Sequence, residues 1–318
     1  MLDSIPPWLW IVFTVAAAGA QVARNAMQRG LTAELGTAGA AHVRFIFGLP
    51  FALVFLAVTW AVTEWPAMQL DWKFLYWLAF GAVSQILATA WMLNAMQQRS
   101  FVVTTAAIKT EPIQVAVFGA IILSERIGLV AMLAVVIATL GVVLMSWPRK
   151  VDSSNASGNG SGSSNTRPDI RPIMVGVAAG GMFAFSAVGF RGAILSVAGE
   201  NLGGSTFYIY ATLTLACGLL LQSTLIVVFL LLSDRAKLRA ILAAWRPSVL
   251  AGLAGATASQ FWFLAFAIES VARVRTLALV EVLFAQIISR RIFSQSTSKL
   301  EGAGIALIVI GVIVLLNS

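Results

Sequence analysis

"TTAAIKTEPIQVAVFGAIIL", Thr104–Leu123, is apolar enough to cross a bilayer, yet it carries Lys109, Glu111 and Pro112 at its middle. A carboxylate at that depth cannot snorkel to a headgroup. It is costly unless it faces a polar cavity, finds a partner or takes up a proton. Two readings follow. In one, this span lines a polar pathway. In the other, Glu111 is a protonated or ion-paired group that fixes helix packing, and Pro112 is a routine kink. In either case Pro112 removes a backbone hydrogen bond and bends the helix, freeing a carbonyl to line a cavity, so it is the expected hinge.

Working outward, the rest of the chain has the same character. Of its 318 residues, 59% are hydrophobic and 11% charged, against about 25% charged in a soluble domain. Hydrophobic runs long enough to span a bilayer as helices recur near residues 8–27, 37–60, 74–96, 101–123, 128–147, 172–197, 205–232, 248–267, 272–289 and 300–317. The runs are continuous and do not alternate, which excludes a β-barrel. The fold expected is an all-α integral membrane protein with ten transmembrane helices. "MLDSIPP" lacks a basic n-region, so the first run reads as a retained helix. The lone Cys217 leaves no disulfide or cysteine metal site, and no cofactor is expected. The formal net charge of +8 is dispersed over many short loops, which fits topology signals and lipid-headgroup contacts and not nucleic acid.

"VDSSNASGNGSGSSNTRPD", Val151–Asp169, is a Ser/Gly/Asn coil that cannot bury apolar surface. It separates a first five-helix unit, 1–150, from a second, 172–318, with 151–171 as the linker. Sliding the sequence by 170 positions lays Glu111 on Glu281, Ile122 on Ile292, Ser124 on Ser294, Gly141 on Gly311 and Val142 on Val312 without a gap. The halves read as diverged copies. An odd number of spans per copy forces the second to enter from the opposite side, giving two inverted five-helix repeats.

Other polar residues within spans are candidates for the same pathway. Gln21, Arg24, Asn25 and Gln28 form a stripe on the first helix, of which Gln21, Arg24 and Asn25 are expected to line a cavity. Gln114 lies three residues beyond Glu111 and shares its helical face with Thr104. Lys109 points elsewhere, so Lys109 and Glu111 should each meet a group on another helix or a solute. His42 and Arg44 enter the second helix; the histidine is a structural hydrogen-bonder or a proton carrier, and Arg44 snorkels or reaches the cavity. Gln85, Trp91 and Gln260 complete the candidates, Trp91 as a cavity wall amid the small residues Ser84, Ala88 and Ala95. Arg191, Arg273 and Arg275 are expected at the interface. "SDRAKLRAILAAWRP", Ser233–Pro247, reads as a basic amphipathic connector lying on the membrane surface.

Glu111-Pro112, "LSERIG" at the following turn and the closing "TLGVVLMSW" together resemble the drug/metabolite transporter superfamily and, within it, ten-helix EamA-type permeases. The resemblance implies a secondary transporter, often an exporter of metabolites, amino acids or drugs, in a bacterial inner (plasma) membrane, with a central cavity between the first four helices of each half. Two positions depart from the family pattern. Val282 stands for the second proline, so the ninth span is expected to bend less, and Ser294-Gln295-Ser296 replaces the second acidic turn. The partners expected are a small-molecule solute, membrane lipids and protons carried on Glu111 and Glu281, while Arg24, Arg44 and Lys109 favour an anionic or zwitterionic solute. Loop charge places both termini outside; the resemblance implies both inside. The rivals are a membrane-embedded lipid-modifying enzyme and a non-transporting assembly partner. The first is disfavoured by one histidine and the absence of an acidic cluster.

Overall fold

The computed structural model describes residues 5–66, 68, 70–98, 107–145, 171–199, 206–293 and 299–318. The linker to residue 170, Thr104 and the turn at 294–296 lie outside the described residues. Helices occupy all ten expected spans, and no strand occurs among the described residues. In chain order they are α1 (Leu9–Ile46), α2 (Leu49–Val62), α3 (Trp72–Gln98), α4 (Glu111–Ile122), α5 (Leu129–Met145), α6 (Arg171–Ala198), α7 (Phe207–Ser233), α8 (Arg235–Ala243), α9 (Trp245–Ile268), α10 (Val271–Leu277), α11 (Val280–Phe293) and α12 (Lys299–Leu316).

The first span runs past its expected end at Met27. Residues 28–35 stay helical, and the reversal is concentrated at Gly36, whose φ of 67° and ψ of 171° suit a residue without Cβ. Beyond Gly36, the second span is interrupted before α2, where Pro50 has no N–H to continue the helical ladder. Five stretches are long and apolar enough to cross a membrane: Leu9–Val62, which Gly36 divides, Trp72–Ala95, Met174–Ala198, Phe207–Ser233 and Trp245–Ile268. Three shorter apolar helices join them.

The exterior is apolar in the manner of a lipid-facing surface. Leu129, Ile121, Phe229 and Ile313 are all exposed. Trp8, Trp60, Trp72 and Trp245 are exposed at helix ends, where indole rings suit a headgroup region. Because lipid tails are as apolar as leucine, helix association here depends on close packing at small residues. A Cβ on Gly189 of α6 would lie 2.6 Å from the Gly81 Cα of α3. One on Gly141 of α5 would lie 2.7 Å from the Gly304 carbonyl oxygen of α12, and one on Gly311 would lie 2.7 Å from the Ala138 Cβ. The pairing is reciprocal between halves: α1 packs on α9, α6 packs on α3, and the fifth span packs on the tenth.

The amphipathic connector forms α8, which buries Leu238 and Ile241 and leaves its basic residues outward. Asp234 caps it by accepting the Lys237 backbone N–H at 2.9 Å. That hydrogen bond, with the Lys237 ammonium, holds the Asp234 carboxyl below the usual range.

Candidate functional site

Two spans are broken beside a glutamate. In the fourth, the chain is helical at 107–108, turns at Lys109 and Thr110, and restarts as α4 at Glu111 with Pro112 in its first turn. The ninth span contains a similar break. α10 ends at Leu277, Ala278 and Leu279 form a turn, and α11 begins at Val280 with Glu281 in its first turn. With Val282 where the family pattern has a proline, this span is nonetheless broken. The break needs no proline. Leu279 N bonds Thr276 O at 3.1 Å and Glu281 N bonds Ala278 O at 2.9 Å, tightening the turn to i→i+3 spacing. Thr276 Oγ1 meanwhile bonds back to Ala272 O at 2.7 Å, a contact that loosens helices. Each glutamate thus sits at the N-terminal, positive end of a half-helix dipole.

The charges at these breaks are satisfied across the two halves. The Lys109 ammonium donates to Glu281 Oε1, and Gln21 Nε2 donates to Glu281 Oε2. Gln21 Oε1 in turn accepts from Trp262 Nε1 at 3.2 Å. Reciprocally, Arg275 Nε lies 3.3 Å from Glu111 Oε1. That second pair is looser: neither atom makes a hydrogen bond of good geometry, and the Arg275 guanidinium stacks over Trp262 at 5.1 Å. Lys109 and Glu111 therefore each meet a group of the other half.

These residues line a cavity of about 390 Å³, a size ordinary for small-molecule sites. Gln21, Arg24, Asn25, Arg44, Gln85, Lys109, Glu111, Pro112 and Glu281 all contribute to it. Arg24 Nη2 donates to Asn25 Oδ1 at 2.7 Å. Arg44 Nη2 donates to Thr89 Oγ1 at 2.9 Å, and its guanidinium lies 4.4 Å from the Phe45 ring centre. Phe183, Phe190, Phe263, Leu215 and Leu219 supply an apolar wall.

Four expected residues do not line this cavity. Gln114 Nε2 donates to Thr110 Oγ1 at 2.9 Å and to Val177 O at 3.2 Å, which ties α4 to α6. Gln260 Nε2 donates to Thr212 Oγ1 at 2.7 Å, joining α9 to α7. Trp91 reaches past its small neighbours Ala88 and Ala95 to become exposed. His42 lies off the cavity, with Nδ1 buried and without a hydrogen bond among the described residues.

Arg275 is the most important residue that sequence reasoning placed elsewhere. It lies one turn into α10, with its Nε 3.3 Å from Glu111 Oε1. Arg191 is likewise not at an interface with lipid. It pairs with Glu125, whose Oε2 accepts the Val271 backbone N–H at 3.2 Å, and its Nη1 donates to Phe266 O. The acidic turn after α4 is thereby fastened to α6 and to the α9–α10 junction. Arg273 pairs with Glu269 at 3.4 Å and with the C-terminal Ser318. Gln222, buried in α7, donates to Gln85 Oε1 at 2.7 Å and also lines the cavity. Its mid-span position was the signal available for it.

Among solved structures 29 chains match. One, described only as "Crystal structure of protein", covers 96% of this chain and 94% of its own, with a TM-score of 0.65 at 14% identity. At that identity the likeness is one of fold. No curated protein matches. Residues 8–147 match the EamA-like transporter family of the drug/metabolite transporter superfamily, a match that implies a membrane transporter of that type.

Proposed function

We propose that the protein is a secondary active transporter that exports a small organic solute, such as a metabolite, amino acid or drug-like compound, by alternating access. The observation that carries this is the cavity at which each half's glutamate faces a cation of the other half, Lys109 with Glu281 and Arg275 with Glu111. Broken helices whose N-terminal ends meet near a polar cavity are the usual architecture of solute sites in transporters. The reciprocal helix pairing and the matching breaks support two inverted repeats, 1–150 and 172–318, that rock about this site. Rocking must exchange the crossed ion pairs, because each joins one half to the other.

The unequal state of the two carboxylates supports coupling to protons. Glu281 is held by both Lys109 and Gln21, whereas Glu111 Oε1 has no hydrogen bond of good geometry. A proton added to Glu111 breaks no existing hydrogen bond there and releases Arg275. In this reading Glu111 is the coupling group and Glu281 the structural one. Loop charge supports both termini lying outside the inner membrane.

The test uses sealed liposomes containing only this protein, an imposed pH gradient, and labelled amino acids, organic acids, nucleosides and cationic drugs. Saturable accumulation driven by the gradient is expected, with Glu111→Gln losing gradient dependence but keeping solute exchange. If no solute moves, the transport reading is wrong. If Glu111→Gln remains fully gradient-driven, the coupling role is wrong.

A further inference from the structure

The cavity's four cations are not equivalent. Lys109 and Arg275 each face a glutamate. Arg24 and Arg44 have no carboxylate partner among the described residues; their hydrogen bonds go to the neutral oxygens of Asn25 and Thr89. Arg24 is only 8% exposed although it lines the cavity, and Arg44 Nε is buried without a hydrogen bond. The two side chains are neighbours. A Cβ on Gly255 of α9 would lie 3.2 Å from Arg24 Cδ and 3.4 Å from Arg44 Cβ, so this glycine leaves room for both stems.

Two guanidiniums without carboxylate partners, on neighbouring stems and away from bulk water, attract an anion strongly. Guanidinium forks match the oxygens of carboxylate and phosphate. The same cavity has an apolar part: Phe190 and Phe263, with ring centres 4.8 Å apart, line it together with Leu215 and Leu219. Inorganic ions would leave that part without a partner.

Resting on the transporter reading above, we infer that Arg24 and Arg44 form an anion subsite that takes the carboxylate or phosphate of an organic anion, with the anion's apolar body against Phe190 and Phe263. In the described state Lys109 and Arg275 each face a glutamate, so Arg24 and Arg44 are the cations left for the anion. An anionic lipid headgroup carries the same chemistry, and the experiment separates that source from a soluble solute.

The experiment is calorimetric titration of the full chain in phosphatidylcholine nanodiscs with benzoate, phenyl phosphate, benzyl alcohol and benzylamine. The anions are expected to bind at least about tenfold more tightly than the neutral and cationic probes. Arg24→Gln and Arg44→Gln should each weaken anion binding by about tenfold or more, leave benzyl alcohol unchanged, and abolish the charge preference. The exposed Arg239→Gln should change nothing. Should a Gln variant fail to fold, Arg24→Lys keeps the charge, and the anion preference should survive at reduced affinity. Repeating the titration in phosphatidylglycerol nanodiscs identifies the source: suppression of phenyl phosphate binding marks a headgroup that competes for the same subsite, and unchanged binding marks a soluble solute. The inference is overturned if no anion binds, if benzylamine or benzyl alcohol binds as tightly as the anions, or if both Gln variants keep wild-type anion affinity. Transport of neutral or cationic solutes in the liposome assay would then leave the transporter reading standing, whereas transport of no solute would remove both.

Discussion

Replacing Lys109 by Met removes the ammonium that faces Glu281 and leaves that carboxylate with Gln21 alone. Breaking a buried ion pair by deleting one partner costs about 3–5 kcal/mol. The side chains here are 22% and 13% exposed on the cavity wall, and Gln21 still donates, so a reduced cost of about 2–3 kcal/mol is expected. Glu281→Gln strands the ammonium and should cost a similar amount. The double variant Lys109→Met/Glu281→Gln strands neither charge and should fall within about 1 kcal/mol of wild type, a coupling of roughly 3 kcal/mol or more. The same cycle on Arg275 and Glu111 should give about 1 kcal/mol or less, because that pair lacks a well-formed hydrogen bond. Equilibrium unfolding by SDS titration in mixed micelles, followed by helical circular dichroism, measures both cycles. Additivity of the Lys109 and Glu281 substitutions within about 0.5 kcal/mol would refute a direct pair, and with it the crossed stitching of the two halves.

Two further outcomes follow from the turn after α4. Ser124 has a φ of 55°, in the left-handed region, where Leu123 and Glu125 both bond back to Gly119 O; Ser124→Gly should therefore stabilise the protein by about 1 kcal/mol in the same unfolding assay. Arg191→Met leaves the Glu125 carboxylate buried with only the Val271 N–H as donor, and it should destabilise by about 3 kcal/mol, while Arg191→Met/Glu125→Gln should recover most of that loss.

Much of the architecture was legible because a bilayer imposes long apolar helices, so the runs around Ala17, Leu215 and Ala265 announce themselves without any structure. The depth of Glu111 and Glu281 likewise marked the site, since depth follows from span length alone. Facing direction was less legible. Gln114 lies three residues after Glu111 in the same helix, yet its amide is taken up by Thr110 and by Val177 of α6, a helix contact that spacing along one helix does not reveal. Arg275 was assigned to an interface by its nearness to a span's start, although it meets Glu111 at the cavity. The break at Ala278 and Leu279 carries no proline, so no residue type announced it. Gly255 and the phenylalanine wall were illegible for a different reason: apolar residues in a membrane helix look alike whether they face lipid, a neighbouring helix or a cavity.

The most direct test of a solute pathway between the halves is to block the cavity and leave its charges intact. Ser259 lines the cavity on α9 and is a member of neither ion pair. Ser259→Trp should fill much of the space and abolish solute uptake into liposomes containing only this protein, with thermal stability within a few degrees of wild type. Uptake by Ser259→Trp at the wild-type rate would contradict the account, because solute would then be crossing somewhere other than this cavity.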